Sequence, residues 1–418
     1  LKILALLGVP VRVWPRAPKA IRNMNKENIL LVFKDRKIVT KNNDFWLEKF
    51  KHKYEVEILF INDYLNLSNN EIINQINNLI NLKKIQTVLL EGDHAHIIDY
   101  HFLKKISNKV KKGIFLGDDM VWHIVNLITA QQCDFVFSSE PISVLKYKEL
   151  GIESFFVPIE GDGKIFKDHG LKKIYEVLHF GRDKTIRSDY INHLEKNGIK
   201  VKCVSPYDEE SNTMEKLAKL ISQSKIILNF AESANGNRSF NHLKIFKKFY
   251  QTKGRIQMAG ISNVLCISEY CASSELIYNQ TELPFFKSKE ECLEKIKYFL
   301  SNDKELKAAT EKFYLKNLEF EDSRYIIKIK KFIDAVIIKS KDKFETPYWY
   351  NVLFINQRLR LRFKEKQMLS FLKEFLAILL TYKEHSFINY IKILFTSLIF
   401  LLRYLPFLLI KKIINFSK

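Results

Sequence analysis

Glu176-Val177-Leu178-His179-Phe180-Gly181-Arg182 is a short apolar run that breaks at a glycine and then a cation. An amphipathic stretch, Asp189–Lys196, follows it, and then a second apolar run, Ile199–Val204. Strand, helix and strand in that order predict a parallel pair, because parallel strands need a crossover of helix length. The alternation continues in both directions, from residue 27 to residue 320. Upstream the candidate strands are Ile29–Phe33, Val56–Ile61, Ile85–Leu90, Gly113–Leu116, Phe135–Phe137 and Phe155–Val157, with helical patterns such as Glu71–Leu82 and Phe102–Val110 between them. Downstream come strands Ile226–Asn229 and Val264–Ser268, and helices Met214–Ser222, Lys289–Leu300 and Lys304–Leu315. The fold class is therefore α/β: two Rossmann-like, doubly wound units in tandem, hinged near Pro158–Gly170. Facing each other, two such units form a cleft at the carboxyl ends of their strands, where these sheets bind ligands.

At 418 residues the chain has room for two or three domains. An apolar share of 47% and a charged share of 28% exclude wholesale disorder. The net charge is +21, and residues 325–418, with 18 Lys and Arg against 6 Asp and Glu, carry +12 of it. Such a region attracts polyanions, either nucleic acid or an anionic membrane.

What accompanies the charge favours a membrane. Arg358-Leu359-Arg360-Leu361-Arg362-Phe363-Lys364 alternates basic and apolar residues, and Met368, Leu372, Phe375 and Leu379 recur at helical spacing. Ile393–Leu402 and Tyr404–Ile410 are apolar runs split by Arg403 and closed by Lys411-Lys412. As a spanning helix, 393–410 would reach roughly 27 Å and gain about −6 kcal/mol from Leu, Ile and Phe. A central Arg costs about +3 kcal/mol and Pro406 up to about 3 more. Lying in the interface avoids both penalties, so the tail reads as a monotopic, basic-apolar helical anchor rather than a span. A phosphate-binding face for nucleic acid would not be paired with bare Leu, Ile and Phe runs.

Residues 1–24 read as a non-native or disordered extension, with translation starting at Met24; Pro10 and Pro15 break the apolar run that a signal peptide would need. The domain reading is then 25–160 for the first α/β unit, 161–173 for a linker, 174–342 for the second α/β unit with closing helices, and 343–418 for the tail. The five cysteines, Cys133, Cys203, Cys266, Cys271 and Cys292, make no CxxC pair and predict buried, reduced thiols.

Several ordered segments resemble GT-B glycosyltransferases. Asp134-Phe135-Val136-Phe137-Ser138-Ser139, Gly151 and Val157-Pro158…Asp162…Phe166 are similar to the end of that family's first domain. Leu178-His179-Phe180-Gly181-Arg182 resembles the strand and Gly-Arg turn that open its second. Lys253-Gly254-Arg255-Ile256-Gln257-Met258-Ala259-Gly260, followed by Val264–Glu269, looks like the core of the spore-maturation-protein type. The likeness spans about residues 27–340. Gln257, or Met258 in a register shifted by one, stands where that family usually has a ribose-binding Glu, and Phe249 where related enzymes have a companion acid.

The resemblance implies a sugar donor whose diphosphate is gripped by fixed cations and backbone amides, with no resident metal or other cofactor. Arg182, Lys184, Lys253 and Arg255 are the expected diphosphate clamp, next to Gly181. Gln257, Glu269 and Asn229 are the expected neighbours of the donor. Each Lys also reads as an ordinary solvated cation, and Glu269 as a helix cap. In the first unit, Glu91-Gly92-Asp93-His94-Ala95-His96 and Gly117-Asp118-Asp119 each end a predicted strand. An inverting enzyme needs a general base, for which Asp118, Asp119 or His94 is the candidate; a retaining one does not. Helix capping explains the same residues equally well.

The expected function is transfer from a nucleotide-diphosphate sugar to a glycan or lipid-linked acceptor of the cell envelope. Its place is peripheral, on the cytoplasmic face of the membrane. A catalytically silent scaffold of the same fold is the alternative. Without Gly-x-Gly-x-x-Gly after the first strand, or a Walker-type loop, dinucleotide oxidoreductases and NTPases are unsupported.

Overall fold

The computed structural model describes residues 26–33, 50–64, 67–92, 98–117, 119–158, 162–181, 185–205, 207–233, 249–341, 344–355, 391–392, 395 and 398–399. Its first unit is a six-stranded sheet of β1 (Glu27–Phe33), β2 (Tyr54–Phe60), β3 (Thr87–Gly92), β4 (Lys111–Leu116), β5 (Phe135–Ser138) and β6 (Glu153–Phe156). The order is β2-β1-β3-β4-β5-β6, and every pair is parallel. Ile29, Leu30, Leu31 and Val32 of β1 are all buried, as a sheet covered on both faces requires.

The sequence explains the covering helices. In α1 (Asn69–Leu82), Ser68 and Glu71 form a reciprocal capping box. Ile72, Ile73, Ile76 and Ile80 then fall on one stripe and are buried. The predicted helix Phe102–Val110 is shorter: α2 runs Tyr100–Lys104, capped by Asp99. Beyond it the Ser107 amide donates to Asn77 at 2.9 Å, a side-chain partner that replaces continued helix. Two more helices, α3 (Asp119–Ala130) and α4 (Pro141–Glu149), start at the carboxyl ends of β4 and β5.

The second unit holds β7 (Tyr175–Phe180), β8 (Val201–Val204), β9 (Ser224–Asn229), the ribbon β10 (Glu232–Ser233) with β11 (Phe249–Tyr250), β12 (Leu265–Glu269) and β13 (Phe285–Phe286). Its five-stranded parallel sheet has the order β13-β12-β9-β7-β8. The accompanying helices are α5 (Thr185–Lys196), α6 (Met214–Ser222), α7 (Gly254–Ile261), α8 (Ala272–Glu275), α9 (Lys289–Ser301) and α10 (Asp303–Asn317). Two Rossmann-like units are thus present, as the hydrophobic periodicity predicts.

The end of the described chain returns to the first unit. Helix α11 (Asp322–Ala335) lays Phe332 parallel to Phe155 at 5.1 Å between ring centres and edge-on to Phe135 at 6.0 Å. The Tyr325 hydroxyl donates to the Phe156 carbonyl at 2.6 Å. Further on, the Lys341 ammonium sits 2.9 Å from buried Asp134, whose other oxygen accepts the Lys112 amide at 2.8 Å. Tyr350 is fully buried, and its hydroxyl accepts the Tyr100 amide at 2.8 Å and meets Thr129 at 2.7 Å.

Residues 322–335 thus contact the first sheet, and 344–355 contact α2 and α3 of the first unit. Among the described residues no helix is long and apolar enough to cross a membrane. The expected extension 1–24 and most of the expected tail, including Arg403, Lys411 and Lys412, lie outside the described residues.

Candidate donor-binding cleft

The carboxyl ends of β7, β9 and β12 converge on one arginine. Arg255 is the second residue of α7 and Lys253 its N-cap, so the first-turn amides, which favour anions, flank both cations. The Arg255 guanidinium lies against Gly181 at the end of β7, where a Cβ would collide with Nη2. Gly181 also has φ +142, a backbone state that side chains disfavour. Arg255 Nη1 donates to Asn229 Oδ1 at 3.2 Å, and the guanidinium stands 5.8 Å from the Phe180 ring centre. Asn229 is itself fixed, with Nδ2 donating to Ser268 Oγ at 2.8 Å. Gly181, Asn229 and Arg255 thus share one corner, with Lys253 at the N-cap of α7 two residues before Arg255. Arg182, Lys184, Asp118, His94 and His96 lie outside the described residues.

Three other expected residues are differently employed. Glu269 ends β12 and is buried, and its Oε2 accepts the Ala231 and Glu232 amides, each at 2.9 Å. Burial pushes its pKa up while those amides pull it down. It closes the turn between β9 and β10 rather than capping a helix. Gln257 is turned into the packed side of α7, where Gln257 and its neighbours Ile256 and Met258 are all buried. Its side chain acts on the buried Tyr278 hydroxyl from within that packed side.

Asp119 is completely buried at the start of α3. Its oxygens accept Asn126 Nδ2 and Ser138 Oγ, each at 2.8 Å, and the Tyr147 hydroxyl at 3.0 Å. A carboxylate so occupied braces β5, α3 and α4; it is a poor candidate for taking a proton from an acceptor. Cys203 also departs from expectation, being exposed while the other four thiols are buried. Among the described residues no three His, Cys, Asp or Glu side chains group as a metal site.

Two residues escaped the sequence reading. Arg187, on the first turn of α5, is 7% exposed and donates to the Glu232 carbonyl at 3.2 Å, close to Glu269. Glu140, two residues after β5 and the N-cap of α4, is 2% exposed. Its Oε2 accepts the Thr252 amide of the second unit at 3.1 Å, across the seam and one residue before Lys253. Burial, chiefly, pushes its carboxyl up to about 8. A Glu at the head of a helix looks like an ordinary cap, and nothing local marks it as an interlobe contact.

With this geometry in place, residues 187–321 match the model of the glycosyl transferase-like family. No curated protein sequence matches the chain. Among solved structures, a pneumococcal O-GlcNAc transferase crystallised with UDP and GlcNAc is similar at 10% identity and a TM-score of 0.42, over 62% of this chain and 59% of that one. The HepE protein of Anabaena, bound to UDP and glucose, is similar at 9% identity and TM-score 0.49, over 74% of this chain and all of that one. A Listeria monocytogenes protein described as a UDP-N-acetylglucosamine 2-epimerase is similar at 12% identity and TM-score 0.45, over 77% and 100%. Likeness at this level carries nothing about a shared reaction. The family match covers the sheet-and-helix segment that holds Arg255, Asn229 and Glu269, so that part of the second α/β unit is similar to the glycosyl transferase-like family.

Proposed function

We propose that the chain takes a sugar from a nucleotide-diphosphate donor and passes it to a glycan or lipid-linked acceptor of the cell envelope at a membrane surface. The observation that carries this reading is the seat of Arg255, a half-buried cation locked between Gly181 and Asn229 at the carboxyl edge of the second sheet. In the transfer the bond from the sugar's anomeric carbon to the diphosphate oxygen breaks, and the acceptor oxygen forms the new one. Negative charge grows on the departing diphosphate. Arg255, Lys253 and the first amides of α7 are preorganised to meet it there. The acceptor's proton goes to a base from the first unit if the anomeric centre is inverted, with His94 and Asp118 the remaining candidates.

The membrane side of the proposal rests on Ile391, Phe395, Leu398 and Ile399, which recur at helical spacing and are all exposed. Lys392 stands 5.9 Å from the ring centre of Tyr348, beside exposed Trp349. Apolar residues with aromatic and basic neighbours suit the headgroup layer. The location this favours is the cytoplasmic face of the membrane.

Thermal-shift screening against UDP-, GDP-, ADP- and CMP-sugars tests the donor. A true donor at about 100 times its dissociation constant adds about 2.7 kcal/mol of stability, and silence across the panel refutes the assignment. The packing of Gln257 favours a second reading, a catalytically silent scaffold of the same fold. Detectable transfer or hydrolysis from any of those donors eliminates it.

A further inference from the structure

The geometry points to Glu140 as a positioning residue: through it the first lobe fixes the turn of the second that carries Lys253 and Arg255. This inference rests on the reading of that turn as the diphosphate grip. Glu140 Oε2 takes the Thr252 amide, and Thr252 immediately precedes the N-cap of α7. Thr252 is held on its other side too, its hydroxyl 3.3 Å from Ser274 Oγ near α8. Within the first lobe the Glu140 amide donates to Ser138 Oγ at 3.1 Å, and Ser138 is bound to Asp119. One chain of hydrogen bonds therefore runs from the buried Asp119 brace, through Ser138 and Glu140, to the backbone at the start of α7.

The remaining oxygen, Oε1, is buried without a hydrogen-bond partner among the described residues. An isolated buried carboxylate is costly, and it sheds that cost by taking up a proton. The charged and titratable groups that act on Glu140 are Asp119 from α3, which favours the proton, and Lys253 from α7, which opposes it. The Cys271 thiol, leading into α8, is raised by burial first and by Glu140 second. Burial, the largest influence, outweighs the Thr252 amide and Lys253, which both favour the charge, so the closed seam holds Glu140 neutral below about pH 8. Its hydrogen bond to Thr252 then persists, and no negative charge competes with the diphosphate for Lys253.

The sign follows from the raised pKa. Separating the lobes exposes Glu140 to water and lowers its pKa toward the ordinary carboxylate value; together they hold it near 8. Between those values the joined state binds the extra proton, so rising pH loosens the seam until the carboxyl has ionised at about 8.

The experiment uses the full chain as wild type, E140A and E140Q. Amide exchange in 249–256 is read by mass spectrometry, and binding of UDP and GDP by calorimetry on both sides of pH 8. E140A removes the acceptor, and exchange and nucleotide dissociation constant are expected to rise about tenfold, the weight of one such bond. E140Q keeps an acceptor but cannot ionise: it should exchange like wild type near neutrality and lose the wild type's fall in affinity with rising pH. Wild-type exchange in E140A, or a wild-type pH profile in E140Q, overturns the proposal. Should E140A fail to fold, the pH profile of E140Q decides. If wild type binds neither nucleotide, the donor reading fails by itself, and the exchange comparison still decides whether Glu140 holds the turn.

Discussion

The guanidinium of Arg255 rests on the α-carbon of Gly181, and a methyl group there would overlap its Nη2. Gly181→Ala should therefore push the guanidinium out of its seat and also strain a backbone held at φ +142. The expected result is a folded protein whose nucleotide affinity falls at least about tenfold, the loss of one charge-assisted contact, read by calorimetry against circular dichroism.

Removing the cation itself is the more severe test. Arg255→Ala should lower sugar transfer by about 10² to 10³, as loss of one preorganised transition-state donor does elsewhere. Arg255→Lys should fall between, since an ammonium keeps the charge and lacks the planar fork that also reaches Asn229. Unchanged turnover in the alanine variant would refute the donor grip.

Asp119 is expected to govern stability. Asp119→Ala strands Asn126, Ser138 and Tyr147, three buried donors. A loss of about 3 kcal/mol or more in unfolding free energy should follow, measured by denaturant titration. A variant as stable as wild type but unable to transfer sugar would return Asp119 to the list of bases.

The thiols give a chemical check on the packing. Cys203 is exposed, whereas Cys133, Cys266, Cys271 and Cys292 are buried, with burial holding Cys133 up at about 12. A thiol reagent should modify one cysteine per native chain and all five after denaturation. Rapid reaction of Cys266 or Cys292 in the native protein would contradict the second sheet's core.

Deleting residues 386–418 should move the protein from the membrane pellet to the soluble fraction while leaving nucleotide binding intact. Persistence in the pellet would sink the anchor.

The strands were legible because a doubly covered parallel sheet demands nearly continuous apolar runs, and Ile29–Phe33 and Glu176–Phe180 advertise themselves that way. The Arg255 corner was legible because cations beside strand ends and a glycine turn are a local pattern. Glu140 was not, since its significance comes from Thr252, a residue 112 positions away. The burial of Gln257 was not legible, since its place in a motif suggested a ligand, while Gln257 and its neighbours Ile256 and Met258 in α7 are buried. The anchor points Thr346, Tyr350 and Asn351 vanished into the average of a long basic segment. Burial of individual polar side chains is invisible to composition.

The stretch 344–355 is bolted to α2 and α3 through Tyr350 and Thr346. Whatever grips the chain beyond it consequently grips the first unit. On a bilayer that half would ride as the fixed jaw, and exchange of spent nucleotide for fresh donor would fall to the other jaw, swinging free in solvent.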